Sequence, residues 1–134
     1  MATKQRTVWA GRTMAAIAGL HTMVFLPHPY WVRWLTGGMW RGDEIPEEAY
    51  TLFWALPGSF VAVLAILGLL VSRAGRRGEG LPGYVGWGIG AWCVMCLLLI
   101  GPSGFVFGIV PAGLLIADNV RDRRRFAARE SPHP

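Results

Sequence analysis

The side chains able to do chemistry in this chain are few: His21 within an apolar stretch, Cys93 and Cys96 at C-x-x-C spacing, and Glu47 with Glu48 directly after Pro46. His21 stands nine residues past Arg12, about 13 Å along a helix, and so near the middle of an apolar layer if that stretch crosses one. An ionisable group at that depth can move a proton, ligate haem or a metal, or hydrogen-bond a lipophilic substrate. The plain alternative is a neutral imidazole bonded to a neighbouring helix. Cys93 and Cys96 offer dithiol chemistry or, as buried thiols, act as small apolar side chains. With His21 they remain too few for a closed four-ligand zinc site, and the sequence implies no metal and no cofactor. Glu47 and Glu48 can cap a helix through the positive end of its dipole. To work as acids near neutral pH, one of them would have to keep its proton in apolar surroundings.

The elements that must position these groups are set by where charge is missing. From Leu81 to Ala117 there are 37 residues without a charged side chain, interrupted by Gly101-Pro102-Ser103-Gly104. A helix crosses a hydrocarbon layer of ~30 Å in about 20 residues, so this run predicts two spans joined by a tight turn. Thr13 to Val32 and Ala49 to Ser72 are likewise uncharged, each close to one crossing. Long continuous apolar runs predict helices, not the short alternating strands of a barrel. The expected fold is all-α: one integral membrane domain over residues 1–134, an antiparallel four-helix bundle with spans at about 13–27, 49–72, 81–101 and 103–120. The basic start and apolar stretch superficially resemble a signal peptide. The stretch is a full span long and ends in Leu26-Pro27-His28-Pro29 with no small-residue cleavage site, so it is expected to remain as the first helix.

A net charge of +5 raises nucleic acid as a partner, but its distribution argues for topology instead. Lys4, Arg6 and Arg12 precede span one, Arg73, Arg76 and Arg77 follow span two, and Arg121, Arg123, Arg124, Arg125 and Arg129 follow span four. Only Arg33 and Arg41 fall on the other side, beside Asp43, Glu44, Glu47 and Glu48. The positive-inside rule then makes both termini cytoplasmic, in a multi-pass protein of a bacterial inner membrane. Residues 30–42, with Tyr30, Trp31, Trp34 and Trp40, suit an interfacial segment with one or two helical turns.

Pro57-Gly58-Ser59 falls inside span two and should kink it and free a backbone carbonyl, a cost accepted where a neighbour or hydroxyl compensates. The short loop 73–80 predicts spans two and three as antiparallel neighbours. Gly83, Gly86 and Gly90 on span three, with Gly104, Gly108 and Ala112 on span four, form small-residue stripes that predict close contact between those two helices. His21, Pro57, Ser59, Trp92 and Cys93 are expected at similar depth. With Phe53, Trp54 and Ser103 they are the candidate lining of a mainly apolar pocket.

Three resemblances bear on function. The cysteine pair is similar to that of small four-helix membrane redox proteins that pass electrons to quinones, but those use further cysteines and this chain has two. Pro46-Glu47-Glu48 with Phe53 resembles the Pro-x-Glu-Glu motif of small-subunit lycopene cyclases, whose acidic pair would protonate a polyene; here no residue separates the proline from the pair. Most of the chain, through Gly19-Leu20-His21, Phe53-Trp54, Leu67-Gly68-Leu69-Leu70-Val71, Leu81-Pro82, Gly86-Trp87, Pro102-Ser103-Gly104-Phe105 and Pro111, resembles an uncharacterised family of small actinobacterial four-helix membrane proteins. That likeness implies a topology and no activity.

The expected function is therefore a small membrane protein that binds a lipid, quinone or isoprenoid-like ligand, or serves as accessory subunit of a membrane complex. The alternative is a membrane-embedded isomerase or cyclase with His21, Glu47 and Glu48 as acid or base. Expected partners are membrane lipids, a lipophilic small molecule, and a second copy or another membrane protein, with no nucleic acid. No Asp, Glu, Lys or Arg lies within the apolar part of any span, which argues against proton-driven export.

Overall fold

The computed structural model describes residues 3–36 and 47–130, with the side chains of Arg33, Trp34, Ile100, Arg129 and Glu130 outside the description. The described residues are all-α, in six helices: α1 (Gln5–Phe25), α2 (Tyr30–Leu35), α3 (Glu47–Ala55), α4 (Val61–Arg76), α5 (Gly83–Ile100) and α6 (Phe105–Glu130). Four expected helices have become six for identifiable reasons.

The second expected span, 49–72, is two helices separated by residues 56–60. Pro57 has no N–H to give the Phe53 carbonyl, and the Gly58 amide takes that acceptor instead at 2.8 Å, one residue late. The Ser59 amide turns to the Leu56 carbonyl at 3.2 Å, and the ladder does not resume until Val61. Helix α2 is the short helical piece expected in the segment 30–42; positions 37–42, including Trp40 and Arg41, and Pro46 lie outside the described residues.

The first helix begins at Gln5, well before the expected 13, because its start is packed: Thr7, Val8, Ala10, Gly11, Met14 and Ala18 are buried on one face. The fourth runs past 120 to Glu130, since the Arg- and Ala-rich stretch after Asp118 contains no helix breaker. Gly101 closes α5 at φ 83°, a conformation without penalty only for glycine, and Pro102-Ser103-Gly104 makes the expected turn into α6.

Packing follows the pairs α1/α4, α5/α6 and α1/α6. Spans two and three were expected as neighbours, yet α4 packs on α1 and not principally on α5. The reason is a set of small residues on α1 and α4. A Cβ on Gly68 would stand 2.7 Å from the Gly11 carbonyl oxygen and 2.8 Å from the Ala15 amide nitrogen, and one on Gly75 would stand 2.7 Å from the Val8 amide. Only backbones bare of side chains can approach so closely. The core cluster of Ala10, Met14, Val71 and Leu115 draws on α1, α4 and α6, with Val85 and Ile89 of α5 packed against it.

The stripe contact between the last two helices is present. A Cβ on Gly86 would meet Leu115 and Ile116 at 3.0 Å, Gly90 faces Ala112, and Gly108 faces the Cys93 thiol. Gly104 is not part of this seam, because nothing lies within 4 Å of where its Cβ would be.

Among the described residues no helix is both long and apolar enough to cross a membrane. The break at 56–60 leaves α4 with 16 residues, α5 with 18 rises only about 27 Å, and α6 loses its apolar character at Asp118. The all-helical fold is thus as expected, and the segments 13–27, 81–101 and 103–120 return with shifted ends as α1, α5 and α6, whereas 49–72 is divided and no described helix is a membrane span by itself.

Candidate functional site

The break between α3 and α4 is where the expected site residues begin to converge. With the Ser59 amide diverted to Leu56, the Ala55 carbonyl has no partner from the next turn. The His21 ring supplies one: Nε2 lies 2.8 Å from the Ala55 oxygen. A carbonyl only accepts, so Nε2 carries the hydrogen. The ring is also tilted against Phe25, one turn further along α1, with centroids 4.8 Å apart. His21 therefore has a structural task, satisfying the Ala55 carbonyl that the diverted Ser59 amide leaves without a partner at the end of α3. Ser59 serves the same segment: its hydroxyl donates to the Leu56 carbonyl at 2.8 Å and accepts from the Val61 amide at 3.2 Å, which starts α4.

On the other side of the break stands an aromatic group. Phe60 meets Trp92 of α5 edge-on at 6.2 Å and Phe105 of α6 nearly parallel at 6.3 Å. Phe60 and Trp92 keep 44% and 49% of their surface exposed, so the rings border an open face. Two residues before Phe105, the buried Ser103 hydroxyl oxygen has no hydrogen-bond partner. His21, Ser59 and Trp92 are thus tied to one region through residues 55–60, and Ser103 is near it in sequence through Phe105.

Of the remaining candidates, Phe53 and Trp54 reach the break through Gly58, while the cysteines and the glutamates are held by other contacts. Cys93 and Cys96 are buried free thiols, and Cys93 packs in the α5/α6 seam against Gly108. Phe53 and Trp54 are on α3, ring against ring at 5.3 Å, with Gly58 tucked beside both. Glu47 and Glu48 open α3 as its acidic first turn and are exposed. The Tyr30 hydroxyl donates to Glu48 Oε2 at 3.3 Å, joining α2 to α3. Acid catalysis would want apolar surroundings around that pair, and these carboxylates stand in the open.

Sequence reasoning missed a second polar group at the opposite end. Thr7 of α1 donates to Asp118 Oδ2 at 2.5 Å, Lys4 pairs with Asp122, and Asn119 Nδ2 donates to the Leu81 carbonyl at 3.3 Å. These residues border a cleft of about 10 Å³, room for one water at most. The available signal was the i, i+4 pair Asp118 and Asp122 facing Thr7 of α1 and Lys4 just before it, but pairing two segments that lie more than 100 residues apart requires the fold.

Comparison with curated proteins and with solved structures finds no match to this chain. A family model described as a family of unknown function, DUF6463, matches residues 5–122, from the first residue of α1 to the Asp122 that pairs with Lys4. The expected likeness to an uncharacterised family is met at that level: the chain belongs to this family of unknown function.

Proposed function

We propose that this is a small membrane-embedded protein that holds a lipophilic molecule, a lipid, quinone or isoprenoid-like compound, against the broken α3–α4 segment. The observation that carries this reading is the half-exposed pair Phe60 and Trp92, with the partly buried Phe105 against Phe60, beside a break whose Ala55 carbonyl is satisfied by His21, with the Ser103 hydroxyl unpartnered close by in sequence. Apolar walls with a few polar atoms are the ordinary form of a site for such a molecule.

Membrane residence is supported by what the helices leave uncovered. Leu20 and Val24 on α1, Val63, Ile66 and Leu69 on α4, Trp87, Leu98 and Leu99 on α5, and Phe107 on α6 are each more than half exposed. A monomer in water rarely exposes so much contiguous apolar surface. Since no described helix is sufficient alone, the crossing units in this proposal are α1, the α3–α4 pair taken together, α5 and the first half of α6, with their connections supplying the missing length. Irregular backbone at 56–60 is tolerable there because neighbouring groups satisfy it.

Alkaline carbonate extraction of membranes tests residence: the chain should stay with the lipid pellet, and release into the supernatant would end the membrane reading. Native mass spectrometry of detergent-purified protein tests the ligand. A retained apolar adduct, lost in Trp92→Ala with helicity intact, is the expected result. Recovery of the bare chain, or an adduct indifferent to both Trp92→Ala and Phe60→Ala, would sink the binding site.

A further inference from the structure

Folding gathers at one end of the bundle three basic stretches that are distant in sequence. The Lys4 amide donates to the Gly75 carbonyl at 2.9 Å, which sets the start of α1 beside the end of α4. Thr7 and Lys4 reach Asp118 and Asp122, which brings in α6. Residues 3–12, 73–80 and 118–125 thereby meet, with ten basic side chains against three acidic ones. Two of those acids are taken by Thr7 and Lys4. The third, Glu79, meets Arg77 only at 3.9 Å with both side chains 57% exposed, a pair of little worth.

The arginines that remain outward are partly pre-positioned. Arg76 Nη1 donates to the buried Ser72 hydroxyl at 2.7 Å, which orients the guanidinium while its other donors stay available. Arg12 lies 5.2 Å from the ring centre of the exposed Trp9, a cation–π contact between a base and the aromatic type that favours membrane interfaces. Exposed Leu69 and Leu70 lie within about one turn of Arg73, so the basic end adjoins the apolar face directly.

We propose that this basic collar, with Arg6, Arg73, Arg76, Arg77 and Arg121 at its rim, binds the phosphate of anionic lipid headgroups. Guanidinium forks match phosphate geometry, and the collar's position between apolar surface and water matches a headgroup layer. The continuity with an apolar face favours lipid over nucleic acid, which would need no such neighbour. The proposal rests on membrane embedding, and its test is chosen to fail separately.

Detergent-purified full-length protein is titrated with short-chain phosphatidylglycerol, phosphatidylcholine, glycerol phosphate and an RNA oligonucleotide, and bound molecules are counted by native mass spectrometry. Phosphatidylglycerol should be retained and phosphatidylcholine not. The double change Arg73→Gln with Arg76→Gln should weaken retention by roughly 30-fold at low salt, and the corresponding lysine pair by less. Circular dichroism checks the double variant; if it is unfolded, Arg121→Gln takes its place, with a loss of roughly fivefold expected. Equal retention of both lipids, an unaffected folded variant, glycerol phosphate bound as well as the lipid, or RNA bound in preference would each overturn the collar. Release by carbonate together with arginine-dependent phosphatidylglycerol binding would refute embedding and leave the collar standing.

Discussion

At the scale of residues, the clearest case is His21. Its depth in an uncharged stretch made it the first candidate for proton or ligand chemistry, and the fold gives it a partner that accounts for its presence: the Ala55 carbonyl at the end of α3, which the break at 56–60 leaves without an amide. Removing the imidazole strands that carbonyl again. His21→Ala is expected to cost about 1–3 kcal/mol, the usual range for an acceptor left without its donor, and His21→Gln, which retains an N–H, to recover part of it. Thermal unfolding in detergent measures both, and an unchanged midpoint for His21→Ala would show that the bond does not matter. Thr7 offers a parallel test at the other end. Its hydroxyl donates to a carboxylate, so Thr7→Val is expected to cost about 1.5–3 kcal/mol, more than disrupting the partly exposed Lys4–Asp122 pair.

At the scale of elements, two features decide the packing: the break and the bare glycine faces. Pro57→Ala restores the missing N–H, and α3 and α4 are expected to join more nearly into one helix, with slower amide exchange at residues 57–60. Unaltered exchange there would mean that the break is imposed by packing and not by the proline. For the glycines, Gly68→Ala drives a methyl into the Gly11 carbonyl and is expected to destabilise by about 1–3 kcal/mol. Gly113→Ala, with nothing within 4 Å, should be neutral or stabilise by about 0.5–1 kcal/mol through helix propensity. The same logic separates Gly108→Leu, which meets the Cys93 thiol, from Gly104→Leu, which meets nothing. The contact of α5 with α6 was legible because its small residues recur at helical spacing on both sides of a short turn. The contact of α1 with α4 was not, because Gly11 has no second glycine three or four residues away on α1 and its match to Gly68 appears only when the helices are paired.

At the scale of the whole molecule, α1 is the element on which the others depend. It packs on α4 along one face and on α6 along another, and so joins the α1/α4 pair to the α5/α6 pair. The polar end contacts of Lys4 and Thr7 hold that junction. Deleting residues 1–8 is therefore expected to loosen α1 from both neighbours while leaving the α5/α6 hairpin helical, which amide exchange resolved by residue would show. Loss of protection throughout α5 as well would mean that the hairpin has no stability of its own.

The amino-acid sequence by itself determined the helical class, the turn at Gly101 to Gly104 and the stripe between α5 and α6, because apolar run length, Pro/Gly punctuation and i, i+4 spacing are local properties. It also pointed to a kink at Pro57 and, separately, to a neutral His21 bonded to a neighbouring helix as one of its readings. Only the tertiary structure decided that the two are joined through Ala55, that α4 packs on α1, and that Asp118 and Asp122 face Thr7 and Lys4. Those outcomes depend on which backbones can approach most closely and on which stranded donor meets which stranded acceptor, and neither is written at any single position in the chain.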